Sequence, residues 1–116
     1  MAFRHLYRSY SRHAESRGLA FELALEQVST ILQLPCEYCA QGPSNIYRRN
    51  GRCPWQVAYS GIDRIDNKRG YVLGNVVPCC AACNIAKNDM SLEQFREWLS
   101  RADTRLVIGG KVCPAI

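Results

Sequence analysis

The sequence has no apolar run long enough to span a membrane, where a helix needs about 20 such residues. It also lacks a secretory signal, because Met1-Ala2-Phe3-Arg4-His5 leads into no apolar stretch. The chain is therefore expected to act in a reducing cytoplasm without a membrane partner. In that compartment clustered cysteines are metal ligands more often than disulfides. Repeats and low-complexity stretches are absent. Histidine is scarce: His5 and His13 both fall in the first predicted helix, where each reads as an exposed surface residue. No segment looks like a recognition helix carrying base-reading polar side chains, so sequence specificity is not legible.

What is present fits one small domain. A chain of 116 residues buries a limited core, and a metal staple would help it. A hydrophobic content of 47% excludes a disordered chain. Lys and Arg total 15 against 10 for Asp and Glu, a formal charge of +5. Four thiolates on one Zn²⁺ would lower that to about +3. The bias is compatible with a nucleic-acid partner without proving one.

Helical spacing of Phe3, Tyr7, Tyr10 and Ala14 predicts an amphipathic helix from about Phe3 to Arg17, stopped by Gly18. Arg4, Arg8 and Arg12 form a stripe beside that face and read as solvated. Leu19-Ala20-Phe21 reads as a short extended piece, and a second helix covers Leu23 to Leu32. The polar stretch Gln41 to Pro54 reads as a loop. Trp55 to Ile65 reads as one strand, Asp66 to Gly70 as a turn, and Tyr71 to Pro78 as a returning strand. Cys80 to Lys87 reads as a short helix. Ser91-Leu92-Glu93-Gln94 is a capping-box signal opening a helix to about Arg101, with Leu92, Phe95, Trp98 and Leu99 on its buried face. Tyr38, Trp55 and Tyr71 are further core aromatics. The domain thus divides into a helical arm (1–34), a metal-stapled core (35–102) and a tail (103–116) that gives no signal after Asp103.

Four of the seven cysteines form two Cys-x-x-Cys pairs, Cys36/Cys39 and Cys80/Cys83. Each pair can set two sulfurs on one tetrahedral ion while the intervening amides turn back to stabilise the thiolates. A closed sulfur shell suits Zn²⁺ and leaves no open position, so the expected role is structural. The bland alternative is buried free thiols or a redox pair. Cys79 is one residue too far from Cys83 for the knuckle spacing and reads as a buried hydrophobe. Cys53 and Cys113 read as plain thiols.

Between the pairs lie Gly61-Ile62-Asp63-Arg64-Ile65-Asp66-Asn67, then Gly70-Tyr71 and Gly74-Asn75-Val76-Val77, and Cys83 is followed by Asn84 and, three residues later, Lys87. As a set, from about Cys36 to Trp98, this resembles the HNH endonucleases of the ββα-metal fold, especially small phage-type members with a zinc knuckle. The resemblance implies an α+β fold with a ββα-metal core, a zinc knuckle and an added N-terminal arm. It implies that Asp63 and Asn84 hold a catalytic Mg²⁺ or Mn²⁺, that Asn75 braces the loop between the strands, and that DNA phosphodiester bonds are hydrolysed. A phage or mobile-element setting, and so the cytoplasm of a bacterial or phage-infected cell, comes with it. The chemistry agrees: a hard cation neutralises charge at the phosphate, and a carboxylate and an amide oxygen are the ligands it prefers.

The sequence departs from the family pattern directly after the metal-binding Asp. The usual general-base His is replaced by Arg64, which stays protonated. Three roles are open. Arg64 clamps a phosphate while Asp66 or a hydroxide on the metal activates water; or it marks an inactive module that only binds nucleic acid; or it is a structural ion-pair residue. Lys68 and Arg69 on the turn, Lys87 one turn beyond Asn84, and Arg48, Arg49 and Arg52 are candidate phosphate contacts. The rival functions are a non-catalytic zinc-containing nucleic-acid-binding module and a protein-binding module on a borrowed fold.

Overall fold

The structure is a computed structural model that describes residues 2–48 and 56–108. Helix α1 (Ala2–Ser16) is followed by α2 (Leu25–Leu32). Strands β1 (Asn45–Arg48) and β2 (Gln56–Tyr59) form one antiparallel pair, and β3 (Gly61–Arg64) and β4 (Val76–Cys79) another. Helices α3 (Ala81–Lys87) and α4 (Leu92–Asp103) follow, α4 running on into a π-helical turn at Thr104–Ile108. The fold is α+β, as expected, with its N-terminal helix in place. No described helix is long and apolar enough to cross a membrane.

The end of α1 follows from Gly18. Its φ of +68° places it in the left-handed region, and the Gly18 and Leu19 amides donate back to Glu15 O and Ala14 O. The chain then passes under the strand loop. Phe21 bridges Tyr71, the Tyr71 amide donates to Ala20 O, and the Glu22 amide donates to Tyr71 O. A Cβ at Gly70 would run into the Ala20 backbone, so only glycine allows this approach. The main core gathers Leu6, Ala14, Leu23, Val28, Leu32, Ile62 and Tyr71. Tyr7 and Phe21 pack edge to face beside it.

Three expectations about the strands change. Trp55 to Ile65 is not one strand. Ser60 is buried, its amide donates to Leu32 O and its hydroxyl to Leu34 O, so the backbone leaves one sheet and enters the other there. The polar stretch read as a loop also contains β1, whose pairing runs Asn45↔Tyr59 to Arg48↔Gln56. The expected hairpin forms, but its returning strand is shorter than the expected Tyr71 to Pro78: Tyr71 only bridges Phe21, and β4 begins at Val76, pairing with β3 from Gly61↔Cys79 to Arg64↔Val76. Trp55, Cys53, Cys113, Arg49 and Arg52 lie outside the described residues.

Helix α4 opens with the expected box. Ser91 Oγ accepts from the Gln94 amide at 3.1 Å, and Gln94 Oε1 accepts from the Ser91 amide at 2.9 Å. Its buried face is narrower than expected. Phe95 is buried, whereas Trp98 and Leu99 are each 41% exposed.

Candidate active site and metal centre

The two cysteine pairs meet. Cys36 and Cys39 sit on a turn after α2, Cys80 is the N-cap of α3, and Cys83 is in its first turn. All four Sγ atoms lie within 4.8 Å of one another, and Cys39 and Cys80 are 3.6 Å apart. A tetrahedral shell with Zn–S bonds of about 2.3 Å has sulfur–sulfur edges of about 3.8 Å, so the cluster matches that size. The Tyr38 amide donates to Cys36 Sγ and the Cys83 amide to Cys80 Sγ, each at 3.4 Å. Burial pushes the Cys36 thiol up, but amide bonds from Cys80, Cys39 and Tyr38 outweigh it and bring it down to about 6. The four cysteines are thus positioned to bind a metal. Cys79 stands outside the cluster and is buried, its Sγ against Cys80 O.

The second centre lies on the β3–β4–α3 unit. A cavity of about 700 Å³ is lined by Asp63 and Arg64 at the end of β3, by Asn84 and Asn88 on and after α3, and by Tyr10 and Arg17 from α1 and its end. Asp63 is 6% exposed. Its Oδ2 accepts from Tyr38 Oη at 2.6 Å and pairs with Lys87 Nζ at 3.1 Å. Burial and this bond to Asp63 push the Tyr38 phenol far above its ordinary value, so it is a donor. Burial and the Tyr59 phenol push Tyr10 up to about 12.

Arg64 is nearly buried. Its Nη1 donates to Asn67 O at 2.6 Å and to Arg69 O at 2.9 Å, and the guanidinium lies 5.6 Å over the Tyr71 ring. Asn75 is fully enclosed. Its Oδ1 accepts from the Asp66 amide, and its Nδ2 donates to Asp66 O and Gly70 O. The loop between β3 and β4 is therefore held from inside by one carboxamide and one guanidinium.

In its backbone the chain is similar to PacI, described as a rare-cutting HNH restriction endonuclease that perturbs DNA. The superposition has a TM-score of 0.62 at 21% identity and covers 94% of this chain and 81% of that one. This chain has the HNH endonuclease fold. An uncharacterised protein of Acanthamoeba polyphaga mimivirus is 33% identical over 89 residues, 77% of this chain. The chain spans about 14% of that relative's length. No family model matches.

Within the HNH fold, β3, β4 and α3 are the two strands and the helix, with Asp63 on the first strand, Asn75 in the connection and Asn84 on the helix. Asp63, Arg64 and Asn84 share the cavity; the other expected residues do not all join them. Lys87 differs most. Its side chain is 0% exposed and its ammonium also donates to Arg64 O at 3.2 Å, so it faces Asp63 instead of solvent and is not placed to meet a phosphate. Asp66 does not line the cavity, and its Oδ1 caps the Lys68 amide. Lys68, Arg69 and Arg48 are exposed. Neither histidine lines the cavity; His5 stacks on Tyr47. Sequence reasoning missed Arg17 as a cavity residue and Tyr38 as the partner of Asp63. Only the position of Tyr38 inside the first Cys-x-x-Cys hinted that its ring would be held near the second pair.

Proposed function

We propose that the chain is a divalent-metal-dependent HNH-type endonuclease that hydrolyses DNA phosphodiester bonds. The observation that supports the reading is that Asp63, on a strand, and Asn84, on a helix, line one cavity together with Arg64. The donor set fits the ion required. A carboxylate and an amide oxygen suit Mg²⁺ or Mn²⁺, which keep several positions for water and phosphate oxygens. The four sulfurs suit Zn²⁺ in a structural role. When bound, the hard cation neutralises phosphate charge and stabilises the leaving oxygen.

The chain's own residues supply position and charge. Asp63 and Asn84 hold the cation. Arg64 spends one nitrogen on the loop carbonyls and lines the cavity, and its fixed positive charge suits a phosphate-clamping role over general-base chemistry. Arg17, which lines the same cavity, is a second phosphate contact, and Lys68 and Arg69 extend the basic surface along the turn.

One observation favours a second reading. Among the described residues no histidine lines the cavity, which is what a module that binds nucleic acid without cutting it would show. Supercoiled plasmid incubated with Mg²⁺ or Mn²⁺ separates the two. The nuclease reading expects nicking, with about a hundredfold loss or more in Asp63→Ala and in Asn84→Ala. Asn84 is exposed, so its truncation leaves the fold intact. Plasmid that is shifted in a gel yet never nicked with either ion would establish the binding module instead.

A further inference from the structure

Tyr38 belongs to both centres. Its backbone lies between Cys36 and Cys39, and its amide donates to Cys36 Sγ at 3.4 Å. Its phenol reaches across to Asp63 and donates to Oδ2 at 2.6 Å, the short length of a charge-assisted O–H···O⁻ bond. The ring is fixed from the far side by Phe95, edge on at 5.5 Å and 82°. The turn that carries it is pinned to β4 by the Glu37 amide, which donates to Pro78 O at 2.8 Å. Both described contacts of the Asp63 carboxylate, from Tyr38 and from Lys87, fall on Oδ2. Two donors on one oxygen resist rotation of the carboxylate and leave Oδ1 as the oxygen for a cation at the cavity that Asp63 lines.

A tyrosine needed only as core filling would not require its hydroxyl at this spot. We propose that Tyr38 is a positioning residue through which the cysteine knuckle fixes the Asp63 carboxylate for the catalytic cation. The inference rests on the nuclease reading of Asp63. It gives the sulfur-bound metal a second task. The turn it closes holds the hydroxyl that orients the oxygen ligand of the other ion. Partners of this kind, one bond removed from a metal, commonly govern affinity by about 10- to 100-fold.

The test is Tyr38→Phe in the zinc-loaded full chain, which keeps the ring and its contact with Phe95 and removes only the donor. Mn²⁺ binding is titrated by electron paramagnetic resonance in the presence of a short DNA duplex with uncleavable phosphorothioate linkages, with Asp63→Asn as the reference for loss of the site. Nicking is followed against Mn²⁺ concentration in parallel. The expected result is an unchanged cysteine-bound metal content, a Mn²⁺ dissociation constant raised about tenfold or more, and a matching rise in the Mn²⁺ needed for half-maximal nicking, with the rate largely restored at saturation. If Tyr38→Phe binds Mn²⁺ as tightly as the parent while Asp63→Asn does not bind it, the positioning role is wrong and the nuclease reading stands. If the parent and Asp63→Asn bind Mn²⁺ equally poorly, the reading of Asp63 itself fails and takes this inference with it.

Discussion

Replacing Lys87 by methionine tests whether the pair beneath the cavity governs the stability of the domain. Methionine keeps most of the apolar stem and removes the ammonium that sits 3.1 Å from Asp63 Oδ2 and 3.2 Å from Arg64 O. Lys87 is fully buried and Asp63 almost so, so solvent screens the pair little. At 3.1 Å and an effective dielectric of about 20, the attraction is about 5 kcal/mol. Removing one partner of a buried pair typically costs about 3–5 kcal/mol, because the other charge is left desolvated without its counterion. A domain of this size has about 5–15 kcal/mol in all, so Lys87→Met is expected to lose about a fifth or more of it. Urea unfolding of the zinc-loaded protein measures the loss, with the slope confirming that the unfolded state is unchanged. Asp63→Asn/Lys87→Met removes both charges and keeps an acceptor for Tyr38, so it is expected to recover about 2 kcal/mol relative to additivity. A single-variant loss below about 1 kcal/mol, or a coupling below about 0.5 kcal/mol, would refute the pairing as an energetic element.

Two further outcomes follow. Asn75→Ala removes three hydrogen bonds of 2.8–3.1 Å in an enclosed site, and at about 1 kcal/mol net each the loss is about 3 kcal/mol. Asn75→Asp is expected to do no better, since a carboxylate oxygen would face the Asp66 and Gly70 carbonyls; a thermal melt within a degree or two of the parent for either variant contradicts this. Removing the cysteine-bound metal with a chelator, or introducing Cys83→Ser, is expected to abolish cooperative unfolding. Structural zinc sites contribute about 10 kcal/mol or more, comparable with the whole stability of a small domain. Acidification should release the metal, because protons compete for the thiolates as pH falls. An unchanged melt of the metal-free chain would show that the cluster is ordinary core.

Much of this arrangement is written in short-range signals. The two Cys-x-x-Cys pairs, the Ser91–Gln94 box and the stop at Gly18 each depend on residues within a few positions, and the structure has all three. The features that were not legible depend on distant partners. Ser60 ends one strand and starts another because Leu32 and Leu34, almost thirty positions earlier, take its amide and hydroxyl. Strand β1 hides in a polar segment because its partner is across a long connection. Helical spacing put Lys87 near Asn84, but not on which side of the helix the ammonium would find its counterion. Trp98 and Leu99 continue the apolar face of α4 past the point where the core ends, which periodicity cannot reveal.

Charge at the cavity limits how the proposed catalytic ion is held. Asp63 brings one negative charge, against the positive charges of Lys87, which pairs with it, and of Arg64 and Arg17, which line the same cavity. Before any ligand arrives the local balance is therefore positive, and the remaining polar groups on the α3 side, Asn84 and Asn88, are neutral amides. A divalent cation entering this setting gains one carboxylate oxygen and pays in repulsion from the ammonium and guanidinium. A phosphodiester reverses that balance, because its anionic oxygens satisfy Arg64 and the cation together. On the nuclease reading, cation and nucleic acid each strengthen the binding of the other, by the reciprocity that linkage requires. The same count gives Arg64 a reason to stand where a neutral base would otherwise be. On that reading its fixed charge holds the phosphate end of the pair, while its bonds to Asn67 O and Arg69 O hold the loop that follows it.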